Sequence, residues 1–378
     1  MALINPAKTH PEVLIQCVAA RDRKKAEAYA RKHQIPEVKD SYQAILDDPE
    51  IRCVYVPLPN GLHFEWAVRA VRAGKHVLLE KPSVSNAAEA EALFGMEAVR
   101  GGQVVVLEAV HYRFGPAWRY FKHLLREEKE GGAEMEKVEV STKFPSLFSE
   151  ADIRYDYSLA GGIMMDLGTY ALSAMRQVAG EPAECLECEM KTCAPPKEKV
   201  DYATTAKWRM ENGATACTII DFRTPKSQYK SMMPTIAVTF KCIKVEDPSL
   251  VAGQTKHRVR TLRMGNFMLS SSWHRIDIED SFTVTANDGA KVVKSWTNKE
   301  SKKAYKLSDV GLEGAGEEYW FTYRHQLEQF VNRVLGRPTE HWVDGEDSVQ
   351  QMRVIDMAYE KSGLGPRPST KFFAENFS

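Results

Sequence analysis

The stretch "HVLLEKP" (76–82) is a short apolar run that stops on an acid, a base and a proline. An uninterrupted apolar run of this length suits a strand buried on both faces. Burial gives no reason for the ending Glu80–Lys81–Pro82. A lysine there is either a surface residue in a tight turn or a group on the carboxyl edge of a parallel sheet, where open α/β sheets bind ligands.

The flanking sequence favours a parallel sheet. "EVLIQCVAA" (12–20) reads as a strand and "DRKKAEAYARKH" (22–33) as a helix capped by Asp22. "SYQAILDDP" (41–49) is a short capped helix, "IRCVYVPL" (51–58) a strand and "HFEWAVRAVRAG" (63–74) a helix ending at glycine. After the opening stretch come a helix over 85–102 and the strand "QVVVLEAV" (103–110). Strand, helix, strand at this spacing predicts βαβ units.

Beyond about residue 110 the pattern changes to alternating strands, including "KVEVSTKF", "ECLECEMKT", "TTAKWRME", "ATACTIIDF", "TIAVTFKC", "SFTVTA" and "KVVKSW", with hairpin turns such as "ENG" and "NDG". Helices over 316–336 and 347–363 close the chain, and 242–280 reads as a moderately polar insertion of no clear period. The division expected is residues 1–110 as a dinucleotide-binding unit and 111–378 as an α+β substrate-binding and dimerisation unit, with the last helices packing back on the first.

Composition narrows the function. Lys+Arg and Asp+Glu are 51 each, so no net field draws in nucleic acid or an acidic membrane. The apolar runs reach about eight residues, against the roughly 20 that a bilayer span requires. "MALINPAKTHPEVL" lacks the charged-then-apolar order of a secretory signal, and an odd cysteine count of seven suits a reducing, cytoplasmic setting. Cys17, Cys53 and Cys217 read as buried thiols. Cys185, Cys188 and Cys193 lack the second pair or histidine that a zinc set needs, so no metal is expected.

Five stretches together resemble the glucose–fructose oxidoreductase / inositol dehydrogenase / MocA family: "HVLLEKP", "VYVPLPNGLH" (54–63), "EAVHYRFGP" (108–116), "DIRYDYSLAGGIMMDLGTY" (152–170) and "VDGEDSVQQMRVIDMAYEKSGLGPRP" (343–368). Within it, "PAKTHPEV", "VAARD" and "DIRYDYSLAGG" are most similar to the dimeric NADP-dependent D-xylose dehydrogenases and dihydrodiol dehydrogenases. The resemblance implies a Rossmann-like parallel sheet followed by a mainly antiparallel open sheet that pairs with a second copy. It also implies hydride transfer from a sugar, D-xylose being favoured, or a cyclic diol to NADP, with NAD less favoured.

The expected strand at 12–20 ends at Ala20–Arg21, and the residue that meets the adenosine ribose lies about 20 positions after the phosphate-binding glycines. That count puts the glycine loop at or before residue 1, with "ALINPAKTH" as the rest of the first helix. The parallel sheet is therefore expected to be incomplete at its N-terminal side. Gly314–Ala315–Gly316 is no substitute, because Tyr319 stands where the third glycine belongs. A non-redox descendant or regulatory subunit without cofactor binding is the alternative reading.

The resemblance places Lys81 against both nicotinamide ribose and substrate, with Glu80 and Pro82 shaping its turn. The nicotinamide is expected near Pro57, Pro59 and Asn60, with His63 lining the pocket. Arg21 stands where NAD enzymes place an acid, which suits a 2′-phosphate. Asp166 and Tyr170 are four apart, on one face of a helix. The family's acid–base pair falls there, Asp166 orienting substrate and Tyr170 exchanging its proton with a pKa lowered by Lys81. Tyr112, Arg113 and Arg154 complete the substrate-facing set. Tyr202, Trp208 and Phe222 are expected in the core or a subunit contact.

Overall fold

The computed structural model describes residues 2–149, 151–286 and 291–377. Short strands and helices alternate through its first part: α1 (Ile4–Lys8), β1 (Cys17–Val18), α2 (Arg23–His33), β2 (Glu37–Val38), α3 (Tyr42–Leu46), β3 (Cys53–Val56), α4 (His63–Arg72), β4 (His76–Leu79), α5 (Ala87–Phe94), α6 (Glu97–Arg100) and β5 (Val106–Glu108). Local chemistry sets the helix starts. The side chains of Asp22, Ser41 and Asn86 accept from the backbone N–H three residues on, at 3.1, 3.0 and 3.0 Å.

All pairing here is parallel, but it forms two sheets. β1 pairs with β2, and β3, β4 and β5 pair in that order. Between β1 and β3 lies a cavity of about 1070 Å³, lined by Val13, Ile15 and Val18 on one side and Val54 and Val56 on the other, with Leu327 and Phe330 also lining it. The strand expected over 12–20 is reduced to Cys17–Val18. With β2 on one edge and the cavity on the other, the rest of that run has no ladder to join. The helix expected over 85–102 also breaks in two, because Met96 is extended (φ −56°, ψ 135°) between α5 and α6.

α7 (Pro116–Glu130) leads into the second part, with proline in its first turn, where its missing N–H costs nothing. A nine-stranded sheet follows: β6 (Met135–Lys143), β7 (Pro182–Thr192), β8 (Asp201–Met210), β9 (Thr215–Asp221), β10 (Thr235–Phe240), β11 (Ile243–Val245), β12 (Gln254–Gly265), β13 (Arg275–Ala286) and β14 (Lys291–Lys302). The order is β14-β13-β12-β10-β6-β9-β8-β7 with β11 on β12, all antiparallel except β6 beside β9. The 242–280 insertion therefore holds β11, β12 and the start of β13. The expected "NDG" turn (287–289) lies outside the described residues.

Helix α8 (Thr169–Ala179) covers β6 and β9. Val138, Val140, Trp208 and Val238 from the sheet and Leu172 and Met175 from α8 are buried in one core. Trp208 and Phe222 are core residues, as expected, and Tyr202 is half-buried. The cysteines do not follow expectation: Cys53 is exposed, Cys17 and Cys217 are half-buried, and Cys185 and Cys193 are the buried ones. Cys53 opens β3 at its exposed end, and Cys217 falls on the less buried face of β9.

The closing helices are α9 (Thr322–Val334), α10 (Gly345–Ser362) and α11 (Lys371–Asn376). α9 starts six residues later than its expected start at 316, because Gly316 takes φ +143° against the His325 ring. The Ala315 N–H donates to the Glu340 carboxylate at 2.6 Å, so this glycine pair already holds a protein anion. α10 packs on α5, and Phe373 and Phe377 of the last turns meet Phe64 of α4 at ring separations of 5.4 and 5.3 Å.

Candidate active site

The Glu80–Lys81–Pro82 turn sits where the carboxyl ends of β3, β4 and β5 meet. The Glu80 N–H donates to Val56 O (3.2 Å) and that of Ala109 to Leu79 O (2.7 Å), so both neighbouring strands hold the turn. The Lys81–Pro82 peptide is cis. The Tyr55 hydroxyl donates to Glu80 Oε1 at 2.6 Å, and burial pushes the Glu80 carboxyl above its ordinary value. Glu80 thus spends both oxygens on the protein itself, Oε2 accepting from the Lys81 N–H (3.3 Å).

Across the cleft, Gly161 and Gly162 lead into a π-helical turn, Met164–Gly168, that carries Asp166. Gly162 has φ +131°, and a Cβ there would collide with Asp201 and Arg367. Those two form a fully buried ion pair (2.6 Å). Arg367 Nε donates to Gly161 O (2.8 Å), and Asp201 accepts from the Met164 N–H (2.8 Å) and the Tyr359 hydroxyl (2.9 Å). The pair thereby ties the Gly161–Met164 backbone to the C-terminal segment, although Arg367 Nη1 itself is buried without a partner.

The ammonium of Lys81 donates to Asp166 Oδ1 and to the Asp166 carbonyl oxygen (3.1 Å). Arg154 Nε donates to Asp166 Oδ2 (2.7 Å), and Arg154 Nη1 to Asp152 Oδ1 (3.0 Å). Burial opposes ionisation of Asp166, yet the Lys81 and Arg154 charges outweigh it and hold the carboxyl below its ordinary value. The Lys81 ammonium also lies 4.7 Å from the centre of the Tyr170 ring. Lys81, Asp166, Arg154 and Tyr170 are therefore brought together.

The electrostatics of Tyr170 differ from expectation. Burial, then the nearby Tyr323 and the carboxylates Glu80 and Asp166, push its phenol well above the ordinary value. The Lys81 charge beside the ring does not offset these, with the ammonium paired to Asp166 and facing the ring rather than the hydroxyl.

Other expected site residues take supporting positions. His63 is fully buried, with Nδ1 2.8 Å from Pro82 O and Nε2 2.7 Å from Leu58 O. It braces the loop after β3 to the turn after β4 and does not line the cleft. Tyr112 is buried against Trp118 and Phe267, and its hydroxyl meets Ser173 Oγ at 2.9 Å. Arg113 is buried in an ion pair with Asp347, which also binds Arg176 (2.9 Å). Both pack the junction, because the 3₁₀ turn at His111–Phe114 directs their side chains into the core.

That same turn delivers His111 instead, with Nε2 3.1 Å from the Tyr170 hydroxyl oxygen. His111, Tyr323 and Tyr55 are the site residues that motif reading missed. His111 stands inside the quoted "EAVHYRFGP", directly before the two residues chosen from it, and Tyr323 comes from α9.

A nicotinamide dinucleotide needs a pocket for its nicotinamide end, contacts for its pyrophosphate and, in NADP, a partner for the 2′-phosphate. Pro57, Pro59 and Asn60 form the loop after β3, and Asn60 Nδ2 ties it to Ala160 O (3.2 Å) beside the Asp166 segment. With Lys81 this loop fits the nicotinamide end. Arg21, exposed after β1, fits a 2′-phosphate. Between these two ends runs the β1–β3 cavity, which Arg21, Pro57 and Leu58 also line.

Known proteins resemble this chain over most of its length. The profile "Oxidoreductase family, NAD-binding Rossmann fold" matches residues 2–108, and "GFO/IDH/MocA C-terminal domain" matches 118–240. The chain is 30% identical to D-xylose 1-dehydrogenase (NADP(+)) 2 of Haloferax volcanii over 364 residues, 95% of this chain and 93% of that protein. It is 32% identical to the trans-1,2-dihydrobenzene-1,2-diol dehydrogenase of Sus scrofa over 166 residues, 44% of this chain and 48% of that protein. The fold is shared with KijD10, a 3-ketoreductase from Actinomadura kijaniata solved with NADP and TDP-benzene (TM-score 0.69, 21% identity, covering 95% of this chain and 92% of that one). It is also shared with a levoglucosan dehydrogenase solved with NADH and L-sorbose (TM-score 0.70, 18% identity, covering 97% and 94%).

Proposed function

Because the chain belongs to the GFO/IDH/MocA oxidoreductase family, we propose that it is an NADP-dependent dehydrogenase that oxidises a carbinol of a neutral sugar or cyclic diol, D-xylose to its lactone being the favoured case. The observation that carries this reading is the convergence of Lys81, Asp166 and Tyr170 at the carboxyl ends of β3 and β4. The nicotinamide supplies the hydride acceptor. Lys81 polarises the reacting oxygen, a preorganised charge in a site largely closed to water. Asp166 fixes the Lys81 ammonium and orients substrate hydroxyls, with Arg154 holding its other oxygen. Tyr170 takes the hydroxyl proton.

Charge supports a neutral substrate. The cleft cations Lys81 and Arg154 are met by Asp166 and Asp152, so neither of these two is free for a phosphate. Arg21 supports NADP over NAD. The open face of the nine-stranded sheet is the surface through which a homodimer would form, and seven cysteines with no disulfide among them suit the cytoplasm. The reaction is tested with C1-deuterated D-xylose and NADP⁺. Deuterium should appear on the reduced nicotinamide and the lactone in solution. NADP⁺ left unreduced beside an unchanged sugar would exclude this substrate.

A further inference from the structure

His111 follows β5 and is 2% exposed. Its ring stacks on Tyr323 (3.9 Å between centres, 28° between planes) and meets Tyr170 edge-on (5.6 Å, 67°). Both nitrogens have partners: Nδ1 is 2.8 Å from Thr322 Oγ1 and Nε2 is 3.1 Å from the Tyr170 hydroxyl oxygen. Burial, with the Lys81 charge nearby, pushes this imidazole down to about 3. At neutral pH it therefore carries one N–H and one lone pair.

Tyr170 needs such a neighbour. A phenol held well above its ordinary value does not ionise at neutral pH, so it cannot take a proton while keeping its own. It can pass a proton through if an acceptor stands behind it.

We propose that His111 is that acceptor: Nδ1–H donates to Thr322 Oγ1, and Nε2 holds the phenol hydrogen and receives it during turnover. This rests on the reading of Tyr170 as the group that takes the substrate proton. A phenol oxygen has one hydrogen and two lone pairs. The Tyr323 hydroxyl hydrogen-bonds Tyr170; with the phenol hydrogen committed to Nε2, Tyr323 must donate to one lone pair, and the other is left for the substrate.

The step balances. As the carbinol C–H bond breaks and its hydride passes to the oxidised nicotinamide, the substrate O–H bond also breaks. A new O–H bond forms at Tyr170, the original Tyr170 O–H breaks, and an N–H bond forms at Nε2. Tyr170 is neutral before and after, and the positive charge appears on His111. An imidazole pushed down to about 3 holds it only briefly, and once product has left the same relay run backward delivers the proton through Tyr170 to water in the vacated site. The groups facing the pair are Lys81, which opposes that charge, Glu80 and Asp166, which favour it, and the hydroxyls of Tyr55, Tyr323 and Thr322. His111 acts through Tyr170 and is a positioning residue, not one that touches substrate.

Two readouts test this on the full chain. With ¹⁵N-histidine labelling and His111→Phe to assign the resonance, His111 should show a protonated Nδ1 and an unprotonated Nε2 from about pH 6 to 9, without cofactor or substrate. A protonated Nε2 would overturn the proposal. In turnover, His111→Phe keeps a ring against Tyr323 and should lower kcat by on the order of 10²-fold with KM within about threefold. A kcat close to the parent's would reduce His111 to packing and overturn the proposal equally. If the parent oxidises no carbinol, the reading of Tyr170 fails by itself, and the nitrogen resonances still decide the tautomer.

Discussion

Lys81 donates to both the side chain and the backbone carbonyl of Asp166, so the end of β4 and the π-helical turn are fastened across the cleft at two points. A flexible four-carbon side chain is thereby fixed over the Tyr170 ring. The fastening places a charge where oxygen becomes negative without any rearrangement at the moment of reaction.

Lys81→Met keeps the length and the apolar stem and removes the charge. Asp166 retains Arg154 as a partner, so the fold should survive. The expected loss in kcat is on the order of 10²–10³, the scale of one preorganised electrostatic donor. Steady-state kinetics beside a thermal melt would check it, and a variant that keeps more than about a third of the parent rate removes Lys81 from the mechanism.

Tyr170→Phe deletes only the hydroxyl. Turnover should fall by roughly 10²–10⁴, with the melting temperature little changed. Because the phenol is pushed well above its ordinary value, the parent's pH–rate profile should show no limb from Tyr170 in the neutral range. A variant with parental kcat and profile would mean that the phenol is structural.

Much of this arrangement is legible in sequence because it rests on local chemistry. The Asp22, Ser41 and Asn86 caps, the proline that opens α7 and the Glu80–Lys81–Pro82 ending each act within a few residues. What escaped reading depends on distant partners. β12 shows little apolar alternation because Arg258 and Arg260 line it, held by Glu128 of α7 (2.7 Å from Arg258) and Asp280 of β13 (2.6 Å from Arg260). β1 is short because of what lies beside it, not because of its own residues. His111 and Thr322 meet across 211 positions, and no spacing rule pairs them. For the same reason Tyr112 and Arg113 looked as eligible as His111 until the turn that carries all three was seen.

Cofactor affinity follows from the two ends of the site. The residues that line the β1–β3 cavity include no glycine, so a pyrophosphate there would lack the N–H contacts of a glycine turn, and NADPH should bind with a Kd above roughly 10 μM. Arg21→Ala should weaken NADPH further and leave NADH nearly unchanged. Titration calorimetry with both nucleotides separates the two statements. A Kd for NADPH of about 1 μM or below would contradict the first, and equal losses for both nucleotides would contradict the second.

Glu108, buried at the end of β5, accepts from the Ser83 N–H (3.0 Å) just past the lysine turn, and burial pushes its carboxyl up to about 7. Its ordinary value is 4.5, so between these two values the folded chain holds a proton that the unfolded chain has released. Stability falls as pH rises through that window and levels off above it. Glu108→Gln keeps the acceptor oxygen and cannot ionise. Its stability gain should therefore grow from near zero at about pH 4.5 to as much as about 3 kcal/mol above pH 7. Denaturant unfolding of both proteins across this range would show it, and a pH-independent difference would refute it.

The central claim is that paired charges around Lys81 and Asp166 serve a neutral carbinol. The most direct measurement is NADP⁺ reduction at millimolar cofactor with a panel of free aldoses, cyclic trans-diols and the corresponding sugar phosphates and nucleotide sugars. The account predicts NADPH formation with free sugars or diols, D-xylose foremost, and little with the phosphorylated compounds. NADPH formation confined to phosphorylated or nucleotide-linked sugars, or none with any neutral carbinol, would contradict it.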